Sequence, residues 1–161
     1  GTKFSAIRYG NVAGSRGSVI PTWRAAITRG ERIKVYDHEA TRFWFTLDGA
    51  VDLALWAADN MRGGELFVPN LKAFSIGDLA RVMGHADITL PVRPTDRPGE
   101  KRHESMISPD EAAAFVFWRG HFVRYLPGTA PNDADMDMCA LSSNACVRMT
   151  IEELAEAVDA V

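Results

Sequence analysis

The 161-residue chain is 47% hydrophobic and 24% charged, the balance of a soluble globular domain long enough to bury a core. Its net charge of -3 excludes the broad basic face that nucleic acid requires, so any anion site must be local. The two cysteines, Cys139 and Cys146, lack CxxC spacing, which argues against a disulfide scaffold or a zinc ribbon, and no apolar run reaches the roughly 18 residues of a membrane span. A reducing cytoplasm is the expected compartment.

Gly1-Thr2-Lys3 runs directly into Phe4-Ser5-Ala6-Ile7 without an initiator methionine, which predicts a chain whose upstream half lies elsewhere. Phe4 to Tyr9 reads as a buried strand, followed by a loop of small residues from Gly10 to Ser18. Pro21 suits the first turn of a helix running to about Arg29, with Gly30 as its stop. Residues 33–36 and 42–46 have β character. Asp48 is placed to cap the next helix, whose buried stripe is expected at Val51, Leu55 and Ala58, widened by Leu53, Ala54, Trp56 and Ala57. Gly63-Gly64 ends that helix, and Glu65 to Val68 reads as a short parallel strand bounded by Pro69.

Ser75 with Asp78 opens a further helix that turns Ile76, Leu79 and Val82 inward and stops at Gly84. Ile88 to Val92 is strand-like, and 94–100 is a Pro/Gly-rich loop. Phe115 to Trp118 and His121 to Tyr125, around Arg119-Gly120, read as a hairpin. Residues 127–138 are turn-forming and acidic, and Thr150 with Glu153 is a capping box before a last amphipathic helix. The alternation predicts an α/β architecture in a single unit over 1–161, too short for a complete dinucleotide-binding domain plus a substrate domain.

Three acidic or histidine patterns fail as metal sites. Asp133-x-Asp135-x-Asp137 opens like a calcium loop, but Met138 and Asn144 stand where that loop needs glycine and glutamate. Glu100-x-x-His103 has no second copy, and His103-Glu104 has Ile107 where a zinc protease has histidine. No nucleophile–base set can be assembled, and no GxGxxG follows a strand, so catalytic and metal residues are expected to be absent.

Three stretches look too idiosyncratic for packing alone. Arg8 to Pro21 (RYGNVAGSRGSVIP) runs from the end of a strand through glycines that let backbone amides approach an anion. Thr41 to Thr46 (TRFWFT) sets Arg42 beside an aromatic strand, and Asp96 to Lys101 places Arg97 and Glu100 around a Pro-Gly turn. An arginine fork suits a pyrophosphate, and a carboxylate accepts from the two hydroxyls of a ribose.

The order RYGNVAGSRGSVIP, TRFWFT, ELFVPNLKAFSIGDLA, RPGEKRHESMIS and a closing SSNACVRMTIEELAEAV resembles the C-terminal half of extended short-chain dehydrogenase/reductases. Among these it is most similar to the inverting UDP-N-acetylglucosamine 4,6-dehydratases of polysaccharide and flagellin-sugar biosynthesis. The resemblance implies the C-terminal part of a Rossmann-like fold: the last sheet strands plus a small α/β substrate-binding subdomain. It implies that Tyr9 and Val12 lie beside the nicotinamide of NADP and that Asn11 bonds the UDP-sugar near its diphosphate. Arg16, Gly17, Ser18 and Val19 would line the nucleotide pocket, Arg42 and Arg97 would clamp the pyrophosphate, and Glu100 would hold the ribose. Ser142, Ser143 and Asn144 would close over the substrate.

The family's Tyr-x-x-x-Lys pair, its aspartate/lysine acid–base residues and its dinucleotide glycines belong to the other half. The resemblance thus implies substrate recognition without the chemistry, and a homo-oligomer at full length. At Asp37-His38-Glu39-Ala40 the sequence departs from the family's expected proline and basic residue, so Tyr36 is assigned no uridine contact. Two alternatives stay open: a non-catalytic nucleotide-sugar binding module, and an epimerase or reductase that shares the clamp.

Overall fold

Helix boundaries follow from side chains that satisfy the unpaired amides of a first turn. The computed structural model describes residues 1–33, 35–84, 99–135 and 140–161. Helix α1 (Val19–Thr28) starts after Ser18, α2 (Leu47–Asn60) after Thr46, α3 (Ile76–Val82) after Ser75 and α4 (Ile151–Asp159) after Thr150. Thr46 and Ser75 accept the amides of Gly49 and Asp78, and Thr150 with Glu153 closes both arms of a capping box. Thr46, rather than the expected Asp48, therefore caps α2; Asp48 lies in the first turn, where its charge favours the helix dipole.

The strands are β1 (Ala6–Ile7), β2 (Thr41–Phe43), β3 (Leu66–Pro69), β4 (Ala73–Ser75), β5 (Ser105–Ile107), β6 (Val116–Trp118), β7 (His121–Arg124) and β8 (Leu141–Ser142). The main sheet runs β1-β3-β7-β6, with β1 parallel to β3 and the remaining pairs antiparallel. Arg119 and Gly120 both take positive φ, 49° and 86°, as a two-residue hairpin turn between β6 and β7 requires. Two further antiparallel pairs, β2 with β4 and β5 with β8, stand beside the sheet.

Alternation along β3 divides the core. Phe67 turns toward α2, where it packs with Ala57, Trp118 and Val123 and meets the Trp56 ring edge-on at 5.5 Å. Leu66 and Val68 turn to the other face, against Phe43, Met106, Ile107, Phe115 and Phe122. A third cluster joins α1, α3 and α4 through Ile20, Trp23, Leu79, Leu154 and Val158.

Four expectations need correction. Only Ala6–Ile7 of the first segment is strand, and Phe4 is 77% exposed, because among the described residues β1 has a neighbour on one side only. Ile33 and Val35 are buried, yet residues 33, 35 and 36 form no strand. Beyond Phe43 the TRFWFT segment leaves strand geometry. On α2, Leu53 and Ala57 are buried, whereas Val51 and Leu55 are 49% and 62% exposed and Ala58 is also exposed. Asp48, Asp52 and Asp59 share one side of the helix and mark its outer face; Val51 and Leu55 lie beside them, whereas Leu53 and Ala57 lie opposite. The strand expected at Ile88 to Val92 and most of the loop at 94–100 lie outside the described residues.

Candidate functional site

The loop after β1 owes its path to backbone contacts. Ala13 N bonds Phe45 O at 2.7 Å, tying the loop to the segment after β2, and Ser18 N bonds Ser15 O at 2.9 Å. Gly14 takes φ 72°, and a Cβ there would collide with the Val161 side chain, so both conformation and space require glycine. The loop delivers the chain into α1, and Ser18, at its N-cap, makes no side-chain cap. Ser18 Oγ is buried and meets no partner among the described residues, an unsatisfied group that suits a bound ligand.

A cavity of about 1070 Å³ opens between this loop, α1, β2 and the segment 99–104. Its lining brings together Asn11, Val12, Arg16, Gly17, Ser18 and Val19 with Arg42 and Glu100, which are far apart in sequence. Tyr9 stays outside: it is 46% exposed, and its ring packs on Phe45 at 5.2 Å. Arg97 lies outside the described residues.

Arg42 is buried to 9% exposure and held from behind. Its Nη1 donates to Thr41 O at 2.7 Å and Arg102 O at 3.2 Å, Nη2 donates to Glu100, and Nε lies 3.7 Å from Glu104 Oε1. The strand that carries it is fixed by a buried hydroxyl network. Thr41 Oγ1 meets His103 Nδ1 at 2.8 Å and Ser143 Oγ at 2.7 Å, and Ser143 Oγ also accepts Glu104 N at 2.9 Å. Ser143 is fully buried in this network and does not line the cavity; instead of closing over a substrate it anchors the strand behind Arg42.

Several lining residues carried no assignment from sequence. Arg29, Arg32, Lys101 and Arg102 add positive charge, balanced by Glu31 and Asp37. Arg29 chelates Glu31 with two bonds of 2.8 Å; that contact raises the Arg29 pKa and lowers that of Glu31. Arg102 pairs with Asp37 at 3.1 Å, and Tyr36 lines the cavity despite the departure from the family pattern beside it. Arg102 and Glu104 fall inside the RPGEKRHE stretch, which was the available signal for them. Arg32 follows the helix stop at Gly30 and had none.

Arg8, in the same motif as Asn11, serves another purpose. Its Nη1 bonds Met106 O at 2.7 Å and Glu111 Oε1 at 2.5 Å, stapling the end of β1 to β5 and the segment after it. That guanidinium, with the Ser108 amide, holds the Glu111 carboxyl below its ordinary value. In the acidic loop, Asp133 accepts the Trp118 indole N–H at 3.2 Å and Asp135 bridges to Phe117, which gives both structural partners. No helix among the described residues is long and apolar enough to cross a membrane.

Comparison with known proteins identifies the family. The sequence profile described as "Polysaccharide biosynthesis protein" matches residues 1–123. The chain is 40% identical over 116 residues to the UDP-N-acetylglucosamine 4,6-dehydratase (inverting) of Campylobacter jejuni, covering 69% of this chain and 33% of that protein. It is 37% identical over 114 residues to the UDP-glucose 4-epimerase of Rickettsia massiliae, covering 70% of this chain and 33% of that one. The chain thus spans about a third of the length of these relatives.

Among solved structures, Pen from Bacillus thuringiensis superposes with a TM-score of 0.85 at 30% identity, over 98% of this chain and 49% of that one. The architecture is that of the C-terminal part of a Rossmann-like extended short-chain dehydrogenase/reductase fold. The chain belongs to the polysaccharide biosynthesis protein family.

Proposed function

We propose that the cavity holds a UDP-sugar by its diphosphate. On this reading the chain is the substrate-recognising part of an NADP-dependent dehydratase that converts UDP-N-acetylglucosamine to a 4-keto-6-deoxy sugar for surface polysaccharide or flagellin glycans. The observation that carries the reading is the convergence of the Asn11–Val19 loop, Arg42 and Glu100 on one cavity large enough for such a ligand. The first-turn amides of α1 and the Arg42 fork are the donors that a diphosphate needs. Asn11 and the Ser18 hydroxyl supply neutral polar contacts, Glu100 accepts from the ribose hydroxyls, and Arg97 would complete the clamp.

Tyr9, with its exposed ring at the carboxyl end of β1, and Val12, on the cavity wall, fit one side of a nicotinamide. When bound, NADP supplies reversible hydride acceptance from the sugar. These 161 residues contain no Tyr-x-x-x-Lys, so their work is to bind and orient; proton transfer belongs to residues outside them. The setting we propose is cytoplasmic, in a homo-oligomer of the full-length protein.

Calorimetry with UDP-N-acetylglucosamine tests the clamp. Arg42→Ala should weaken binding by about 2–5 kcal/mol, the range for removing one partner of a desolvated charge pair. Undiminished affinity in that variant would refute the assignment. The similarity to UDP-glucose 4-epimerases favours one second reading, in which the same clamp serves epimerisation. In a full-length protein, a 4-epimer in place of a 4-keto-6-deoxy product would establish it.

A further inference from the structure

The geometry points to His103 as a positioning residue for Arg42: its Nδ1–H starts a relay of hydroxyls that ends on the carbonyl holding the Arg42 guanidinium. This rests on the reading of Arg42 as the diphosphate ligand. Three successive residues reach the strand that carries Arg42. Arg102 O accepts Thr41 N at 2.9 Å and Arg42 Nη1 at 3.2 Å, His103 Nδ1 lies 2.8 Å from Thr41 Oγ1, and Glu104 N donates to Ser143 Oγ at 2.9 Å. The His103 ring is half-buried there, and among the described residues it joins no cluster that could hold a metal.

Proton supply gives the relay its direction. Thr41 and Ser143 are completely buried, and each hydroxyl has one proton to donate and two lone pairs to accept with. Ser143 Oγ takes the Glu104 amide and touches Thr41 twice, at Oγ1 (2.7 Å) and at the carbonyl O (3.1 Å). Were Ser143 to donate to Thr41 Oγ1, two oxygens with no proton between them would face each other across the second contact. Ser143 therefore donates to Thr41 O, and Thr41 Oγ1 donates to Ser143 Oγ. With its own proton given, Thr41 Oγ1 accepts from His103 Nδ1. This assignment puts a proton in every contact, and it fixes the neutral His103 ring in the Nδ1–H form rather than the Nε2–H form that a free histidine favours. The Thr41 carbonyl then has two donors, Ser143 Oγ and Arg42 Nη1 at 2.7 Å, which pin that peptide against the guanidinium. A ring in the other form would draw the Thr41 proton to itself, and Ser143 would release the carbonyl. Buried hydrogen bonds in a chain polarise one another, so that release reaches Arg42.

Two measurements on the 161-residue chain test this. Nitrogen NMR of the neutral histidine rings reads the tautomer, with the His103 signals identified by their absence in His103→Asn. Hydrogen on Nδ1 is expected; a ring in the Nε2–H form overturns the relay, whatever the ligand does. Calorimetry with UDP-N-acetylglucosamine separates the donor from the bulk of the ring. His103→Leu removes the donor and should weaken binding about two- to tenfold, the range for one net hydrogen bond. His103→Asn sets an amide N–H where Nδ1 stands and should bind within about twofold of the parent. Equal affinity in His103→Leu and the parent overturns the positioning role. Binding by His103→Asn as weak as by His103→Leu also overturns it, because the loss then belongs to the packing of the ring. If melting curves show that His103→Leu fails to fold, the tautomer of the parent decides alone. A parent chain that does not bind UDP-N-acetylglucosamine overturns the reading of Arg42 itself, while the tautomer still reports on the relay.

Discussion

The face that α1 shares with α3 and α4 and the outer face of α2 both carry large apolar side chains, yet one is closed and the other open. Ile20, Trp23, Leu79, Leu154 and Val158 interlock with almost no exposure. Leu47, Val51 and Leu55 repeat at helical spacing on α2 and face solvent, and Phe4, just before β1, is also exposed. Burial, not composition, separates the two, and the cavity lies on the closed side, where α1 and β2 hold its walls. A rigid wall keeps a binding fork in place, whereas an open apolar face is a surface for another body to cover.

The largest effect should come from breaking the closed side. Leu79 is completely buried between α1, α3 and α4, so Leu79→Ala should cost about 2–5 kcal/mol in urea unfolding. A cost below about 1 kcal/mol would mean that this cluster is looser than its burial implies.

A smaller loss is expected at Glu65, which ties β1 to β3 on the open side. Its buried carboxylate accepts the Ser5 hydroxyl at 2.6 Å and the amides of Arg62 and Gly63 at 2.9 and 2.8 Å. Burial alone would raise its pKa, but the Ser5 hydroxyl and the two amides outweigh burial and hold the group below its ordinary value. A depressed carboxylate contributes stability that is present above its unfolded pKa and is lost as pH falls through the folded one. Glu65→Gln should therefore cost about 1–3 kcal/mol at neutral pH, and it should flatten the acid limb of a stability curve below pH about 4.5. His121, stacked on Trp56 at 4.4 Å, has the opposite charge type but the same sign of effect. Burial lowers its pKa, so stability is full above about 6.5 and falls as the unfolded chain takes up the proton first.

The split between legible and illegible features follows range along the chain. Caps and turns involve residues two to four apart, so Thr150 with Glu153 and the Arg119-Gly120 turn were readable from types alone. The cavity was readable through the order of its motifs, which placed Arg42 and Glu100 in one site. What they do to each other was not: each was read as a ligand contact, and in the structure they are first partners of one another. Ser143 was assigned a lid role by the resemblance alone; its buried network spans 102 positions to Thr41, a separation that no local pattern encodes. The inner face of α2 was legible at short range but misread, since Asp48, Asp52 and Asp59 form a polar stripe opposite Leu53 and Ala57.

Thr150 separates cap strength from packing on the closed side. Thr150→Ala removes one arm of the capping box on α4 and should cost about 1 kcal/mol, with Leu154 and Val158 still in place. Thermal melts of this variant beside Leu79→Ala would order the two contributions. A cap loss as large as the core loss would contradict the view that packing dominates this face.

The smallest change in stability should come from the open side, and it carries the sharpest contrast. Leu55→Lys replaces an exposed leucine at one end of the α2 stripe, so unfolding free energy should move by no more than about 0.5 kcal/mol. Its effect should appear elsewhere. The parent stripe of Leu47, Val51 and Leu55 should bind an apolar dye and promote self-association as concentration rises, and a lysine at position 55 should reduce both. Dye fluorescence and sedimentation velocity on the two proteins read these directly. If Leu55→Lys instead destabilises by as much as Leu79→Ala, the stripe is buried in solution, and the contrast between the two faces is lost.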